Sequence, residues 1–382
     1  MRLPVFHHSG QLIAVINSLI FFVLFFLPLV IFPLKLSPYE KPKVIIFELA
    51  VQLLIVILLI TKKVIFKKVS LSLLFILALI GLISIYHLLF SHSTLTLFGN
   101  PIRFQGTFLL WHLMAFSAIS SFVMVRKIPA LVPIASALLL LAGALYLNTN
   151  INGRAVGTLG EPNALAAVAI FIWPFIFFAE KLKKQISIFA KLAGVVFTLE
   201  IIYISQSKSA LVALLVQIIF LLLIKFVRLP MGKALTIALI LMLSSLILPF
   251  LDKSKIFENR LEVWQVSLKT AWQKPMLGWG FGNVEYALEK TAKSFNYNFV
   301  RYQYVDSAHN LWLDWWIQGG FVGFAAIAYL VLKSLFNLAE KNNLREIMAF
   351  LGIITAMSFN PTSIVTLAAF WWLIGQGFSQ KK

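Results

Sequence analysis

Apolar runs follow one another along this chain with only short polar breaks between them. A helix that crosses a bilayer needs roughly 20 mostly apolar residues. On that measure the pattern predicts helices over 11–33, 44–61, 69–90, 107–125, 128–147, 164–180, 186–205, 209–227, 233–250, 308–332, 345–359 and 363–379. The expected fold is an all-α polytopic membrane protein with about twelve transmembrane helices, a single membrane domain over 1–382. One long break, 251–307, is an insertion between the ninth and tenth helices. Within it Phe257, Leu261, Trp264, Leu268, Ala271 and Trp272 recur at helical spacing opposite Glu258, Glu262, Gln265, Lys269 and Gln273. That spacing predicts an amphipathic helix along the membrane surface. Pro275 ends it, Gly278, Gly280 and Gly282 make a turn, and a second helix is expected over 284–294.

Composition agrees with a lipid solvent. Hydrophobic residues make up 60% of the 382 positions and charged ones 12%, a balance that would not keep a water-soluble domain of this size in solution. The first run is too long for a secretory signal and lacks a small-x-small cleavage site, so it reads as a retained helix. Cysteine is absent, which excludes disulfides, thiolate metal sites and a cysteine nucleophile. The formal charge of +19 is spread over loops and helix ends, so it predicts membrane topology and no nucleic-acid partner.

An even helix count puts both termini on one side, and cations favour the cytoplasm. With cytoplasmic termini, the inner segments hold eighteen Lys and Arg, among them Arg2, Lys62, Lys63, Lys67, Lys68, Arg126, Lys127, Lys181, Lys183, Lys381 and Lys382. The short outer loops hold six: Lys35, Lys41, Lys43, Arg103, Arg154 and Lys208. The outer face then carries 34–43, 91–106, 148–163, 205–208, 251–307 and 360–362.

Four stretches on that face can carry chemistry. Arg154 sits among glycines in 152–163, just before a helix that starts outside, so backbone N–H groups and a helix dipole favour an anion there. A plain turn with an interfacial arginine is the bland alternative. Ser205-Gln206-Ser207-Lys208-Ser209 opens the next outward-starting helix, where a serine is expected to cap and Lys208 adds a point charge. Arg260 lies one turn before Trp264, near the apolar margin of the amphipathic helix. Asp306-Ser307-Ala308-His309-Asn310 precedes the tenth helix, and His309 can act as a base or hydrogen-bond donor near neutral pH. Glu48, Glu200 and Asp314 are acids inside spans, where ionisable groups are costly and need partners. Arg154, Lys208, Arg260 and His309 are distant in sequence, yet the topology brings all four to one surface. Cations outnumber paired acids there, so arginine and lysine clamping of phosphate is more natural than a metal bridge. No Walker-type loop, His-Glu-x-x-His or Gly-x-Ser-x-Gly is present.

These stretches, in this order, resemble the O-antigen ligase and O-antigen polymerase superfamily of bacterial surface-polysaccharide enzymes. The likeness rests on Arg154-x-x-Gly157-Thr158-x-Gly160-x-Pro162-Asn163 and Arg260-Leu261-x-x-Trp264. It continues in Lys274-Pro275-Met276-Leu277-Gly278-x-Gly280-x-Gly282-Asn283, Ala308-His309-Asn310 and Gly319-Gly320-x-x-Gly323. Ser37-Pro38-Tyr39-Glu40-x-Pro42-Lys43 is similar to a first outer loop common in the superfamily. Ser207-Lys208 departs from its frequent Ser-Arg, and lysine cannot hold a phosphate bidentately.

The resemblance implies a GT-C-like, polyprenyl-dependent glycosyltransferase of the bacterial cytoplasmic (inner) membrane, working at its periplasmic face without nucleotide, metal or other cofactor. Its donor would be a glycan on undecaprenyl pyrophosphate and its acceptor lipid A-core or another glycan, with membrane lipid around both. Arg154, Arg260 and His309 are then the expected catalytic residues. Lys208, Asn163, Asp306, Asn310 and Trp264 would bind substrate, with Asp306 steering His309. Polymerases and protein O-oligosaccharyltransferases share the superfamily, and the modest outer insertion leans toward a ligase. A transporter or flippase is the reading from another class, but it would line a mid-membrane path with polar groups. A non-catalytic scaffold would not need the arginine and histidine set.

Overall fold

The computed structural model describes residues 8–32, 37–60, 69–91, 93–122, 128–147, 149–179, 184–251, 260–294 and 305–379. In chain order its elements are α1 (His8–Phe21), α2 (Glu40–Ile60), α3 (Leu71–Ser91), α4 (Thr94–Phe98), α5 (Thr107–Phe122), α6 (Leu131–Tyr146), β1 (Asn150–Ile151) and β2 (Arg154–Ala155). They continue as α7 (Pro162–Phe177), α8 (Lys184–Ser205), α9 (Lys208–Lys225), α10 (Met231–Ser245) and α11 (Leu248–Leu251). The last are α12 (Arg260–Gln273), α13 (Val284–Ser294), α14 (Leu311–Glu340), α15 (Leu344–Met357) and α16 (Ile364–Phe378).

Each predicted apolar run contains a helix, and the protein is an all-α polytopic membrane protein. Among the described residues, six helical stretches are long and apolar enough to cross a bilayer by themselves: Glu40–Ile60, Leu71–Ser91, Gln185–Ser205, Lys208–Lys225, Met231–Leu251 and Leu311–Glu340. The other apolar helices are shorter, and the first run changes pitch through a π turn over Phe22–Phe26 and a 3-10 turn over Leu27–Leu29. Two elements were not expected from the sequence, the short α4 and the β1–β2 hairpin, which pairs Ile151 with Arg154. The expected helix over Val284–Ser294 is present as α13.

α7, α15 and α16 are buried almost throughout and form the heart of the bundle. α7 packs on α8 and α15, and α16 lies between α5 and α14. Aromatic rings fill the space between them: Phe25 meets Phe175 edge-on at 5.6 Å, and Trp372 meets Phe171 edge-on at 6.3 Å. Glycines let backbones approach where no side chain fits. A Cβ on Gly352 would lie 2.4 Å from Ile170 Cγ2, and one on Gly375 2.3 Å from the Ser117 carbonyl oxygen. Around this heart, α2, α3, α8 and α10 expose Leu59, Phe75, Phe189 and Ile240, an apolar perimeter that suits lipid.

α14 is broken at Gly320, whose φ of +64° lies in the left-handed region. The break frees backbone groups that a continuous helix would pair, and the glycine turn after α12 takes them up. Trp279 and Gly280 donate their N–H groups to the carbonyls of Ile317 and Gln318, while Phe321 and Val322 donate to Pro275 and Met276. No side chain fits at Gly320, where a Cβ would sit 2.1 Å from the Met276 carbonyl oxygen.

The amphipathic helix α12 exists, but its buried face differs from the expected one. Arg260, Val263, Trp264, Ser267, Thr270 and Ala271 face the protein, whereas Leu268 is 39% and Trp272 65% exposed. Apolar side chains of a helix at a membrane surface have two places to go, the protein or the lipid, and periodicity alone does not separate them. Phe257 and Glu258 lie outside the described residues, as do Lys35 and the inner cations Arg2, Lys62, Lys63, Lys67, Lys68, Arg126, Lys127, Lys181, Lys183, Lys381 and Lys382.

Candidate active site

Polar side chains gather at one end of the bundle, where α7, α9, α14 and α16 begin. The segment before α2 ties this end together. Fully buried Lys43 donates from Nζ to the carbonyls of Tyr39 and Thr158, each at 2.8 Å, which fixes the loop that carries Arg154. Gly160, in the left-handed region, packs on the Tyr39 ring, where a Cβ would lie 2.3 Å from a ring carbon. Glu40 accepts from the Ile364 N–H at the start of α16, and the Ser37 hydroxyl donates to the Ile102 carbonyl.

From Arg154 a chain of hydrogen bonds runs to Arg260. Arg154 Nε donates to the Ser205 carbonyl, and an Nη donates to Asn163 Oδ1, both at 2.9 Å. The Ser207 hydroxyl donates to the same Asn163 oxygen at 3.0 Å and meets the Ser209 hydroxyl at 3.1 Å. Asn360 Nδ2 donates to Ser209 Oγ, and Asn360 Oδ1 accepts from Arg260 at 3.5 Å. Arg260 is only 5% exposed, and a buried guanidinium is tolerated only where partners meet it. The structure thus joins Arg154, Asn163 and Arg260 through α9 and the 358–363 loop.

The same network leaves two helix starts without side-chain caps. Ser207, expected to cap α9, makes no cap hydrogen bond because its hydroxyl is spent on Asn163 and Ser209. Glu161 occupies the cap position of α7 and likewise does not cap; its carboxylate accepts from Asn163 Nδ2 at 3.1 Å. α14 and α16 are capped, by Asn310 and Ser363. Uncapped helix N-termini present amide N–H groups and a positive dipole end, an arrangement that suits an anion.

A third arginine, Arg103, completes the cluster and was not singled out in the sequence. It pairs with Asp306, and an Nη donates to the Thr362 carbonyl at 3.1 Å. Gln105 and Thr362 hold each other through two further bonds, of 2.7 and 2.9 Å. Burial opposes the Arg103 charge, but Asp306, Glu161 and Glu40 more than offset it and raise its pKa. Desolvation pushes the half-buried Glu161 carboxyl above the usual carboxylate range, against the pull of Arg103, Asn163 and Arg260.

The remaining expected residues divide. Asp306 was expected to steer His309, but the hydrogen bonds of its carboxylate go to Arg103. His309 stands half-buried in the left-handed region at φ +52°, its N–H bonded to Ser307 Oγ at 3.1 Å. Asn310 spends its side-chain oxygen on capping α14, accepting from the N–H groups of Trp312 and Leu313. Trp264 is buried against Phe359 and Phe250, with ring centroids 6.2 and 6.3 Å away. Lys208 is exposed and lines a groove of about 730 Å³ beside the arginine chain, together with Asn150, Gly153, Tyr203 and Ser207. Asn360 was missed although Asn360-Pro361-Thr362 is a polar break between two apolar runs, the one signal available for it.

Residues 193–328 match the O-antigen ligase family. That region holds Lys208, Arg260, Trp264, Asp306, His309 and Asn310, while Arg154 and Asn163 precede it. The chain is also 23% identical to a ComP-specific O-oligosaccharyltransferase of Acinetobacter baylyi, over 57% of this chain and 41% of that relative, so it spans less than half of the relative's length. The resemblance to the O-antigen ligase superfamily read from the motifs is therefore borne out by the family match over residues 193–328 and by this distant relative.

Proposed function

We propose that this chain is a membrane glycosyltransferase that moves a glycan from undecaprenyl pyrophosphate to an acceptor hydroxyl, such as one on lipid A-core. The observation that carries this reading is the hydrogen-bonded chain from Arg154 through Asn163, Ser207, Ser209 and Asn360 to Arg260, beside two uncapped helix starts. The family match and the distant relative support the reaction class. The positive-inside bias supports cytoplasmic termini, with the site on the periplasmic face of the inner membrane.

In this mechanism the acceptor oxygen attacks the anomeric carbon and the bond from that carbon to the phosphate oxygen breaks. The electron pair leaves with the pyrophosphate, and the hydroxyl proton passes to His309. Negative charge on the leaving group is greatest as that bond breaks, so preplaced cations act most strongly there. Arg154 and Arg260 clamp the pyrophosphate, and Lys208 attracts it from the adjoining groove. With the charge balanced by side chains and helix dipoles, the reaction needs neither nucleotide nor metal. Asp306 acts by holding Arg103 rather than by orienting His309.

Arg154→Ala and Arg260→Ala, reconstituted with lipid-linked glycan and shown to be folded, are expected to lose on the order of 10²-fold or more in transfer rate. Unchanged turnover in either would reject the clamp. A second reading concerns the acceptor alone: the oligosaccharyltransferase relative favours a polypeptide hydroxyl over lipid A-core. Supplying both acceptors to one preparation separates the two.

A further inference from the structure

A second, chemically distinct space adjoins the arginine cluster. A cavity of about 80 Å³ lies between the start of α5, the glycine turn, α14 and α16, with Arg103, Asp306 and Ser307 at its polar margin. Among the described residues three carboxyl groups line it, those of Glu285, Asp306 and Asp314, against one cation, Arg103, which Asp306 already engages. The described lining therefore carries more acids than cations, in contrast to the Arg154–Arg260 chain. The opposite wall is aromatic: Phe281 meets Trp315 at 5.5 Å, and Trp315 meets Trp371 at 6.2 Å.

The polar wall is also held in place. Asp314 Oδ1 accepts from the Ala308 N–H at 2.7 Å, and Gln318 bridges the Gly282 N–H and the Asp314 carbonyl, each at 3.2 Å. Rigid carboxylate and amide oxygens opposite flat aromatic faces are what an uncharged sugar ring requires. Its hydroxyls donate to such oxygens, and its C–H faces lie against rings. Ser307, in the cavity wall, is two residues from His309, so a sugar held here is delivered close to the proposed base.

The geometry points to this cavity as a binding site for an uncharged sugar ring, either the first ring of the donor glycan or the ring of the acceptor that bears the attacking hydroxyl. The inference rests on the glycan-transfer reading for its place in the reaction, but sugar binding itself is measurable without turnover. Two variants test it. Leu109→Phe fills the floor of the cavity, and Glu285→Gln removes one acceptor charge at nearly constant shape.

The purified full chain in detergent is titrated with undecaprenyl pyrophosphate, with the same lipid carrying one neutral hexose, and with a neutral oligosaccharide followed by tryptophan emission. Both variants are expected to bind the bare pyrophosphate as the parent does. They should lose at least tenfold in affinity for the hexose-bearing lipid if the ring belongs to the donor, or for the oligosaccharide if it belongs to the acceptor. Parental affinity for both sugar-bearing probes in both variants overturns the inference. A parent that ignores the bare pyrophosphate refutes the clamp instead, and the oligosaccharide arm still decides this one: a saturable response weakened by Leu109→Phe upholds the sugar site, and its absence overturns it.

Discussion

The two ends of α16 and α7 lead into very different surroundings. Toward their C-termini and through their middles lies an aromatic heart of Trp371, Trp372, Phe171, Phe175, Phe350 and Phe370, crossed by neutral polar groups, some of which pair locally. Gln217, for instance, accepts from Trp173 Nε1 at 2.7 Å and donates to the carbonyls of Ile170 and Met348. At their N-termini the protein buries the larger set of charges, Lys43, Arg260 and Asp314, with Arg103, Glu161 and Asp306 beside them, against the one pair Arg345–Glu346 at the far end among the described residues. Buried charge costs free energy that packing does not return, so a polar end of this density reflects a task other than holding the bundle together. The contrast also bears on transport. α7 and α16 contain no ionisable residue, and those of α15, Arg345 and Glu346, are in its first turn at the opposite end. A mid-membrane charged path through this heart is therefore missing among the described residues.

If the two ends divide labour in this way, substitutions should separate into those that cost activity and those that cost stability. The largest effect is expected at His309. His309→Gln should lower transfer by about 10² to 10⁴ as a lost general base would, with thermal stability nearly unchanged. Full activity across pH 6–9 would remove His309 from the chemistry. Next is the heart itself: Gly352→Val forces side-chain atoms into the space of Gln217 and Ile170 and should destabilise the protein by about 3 kcal/mol, read as a lower melting temperature in detergent. The folded fraction of that variant should keep parental affinity for donor, and weakened affinity would show that heart and site are not separable.

Lys43→Met probes the border between the regions. It removes two bonds from a buried ammonium while keeping most of the volume, and is expected to cost about 2 kcal/mol. Because Lys43 fixes the Thr158 carbonyl beneath the Arg154 loop, donor affinity should fall along with melting temperature. A drop in stability alone would make Lys43 purely structural. The smallest effect is electrostatic. Glu161 has a raised pKa, so it becomes neutral at a higher pH than an ordinary carboxyl and acquires its charge as pH rises through that value. Affinity for an anionic donor should therefore fall a few-fold as pH rises through the Glu161 pKa. Glu161→Gln should abolish that dependence and bind at the level the parent reaches at low pH.

The helices were legible because a bilayer imposes a length and an apolarity that few other constraints override. Their interruptions were less so. The break at Gly320 is satisfied by a turn about forty residues earlier, a relation that no local pattern carries. Arg154 and Arg260 were found because topology alone brings them to one end, and glycine and interfacial context mark them. Arg103 and Asn360 were missed because their partners, Asp306 and Arg260, lie about 200 and 100 residues away. The face of α12 was misjudged for a physical reason: Leu268 and Trp272 are exposed, and at a membrane surface an apolar side chain can turn to lipid as well as to protein, which periodicity does not distinguish. Ser207 shows a similar competition, since a hydroxyl able to cap α9 is used instead to link Asn163 with Ser209.

If the polar end holds a pyrophosphate between Arg154 and Arg260 as proposed, equilibrium binding of undecaprenyl pyrophosphate to the purified chain will depend on both arginines. The parent and Gly352→Val are expected to bind alike, and the Arg154→Ala, Arg260→Ala double variant at least 100-fold more weakly. Equal affinity in the parent and the double variant, with both folded, would show that the two arginines do not hold the pyrophosphate.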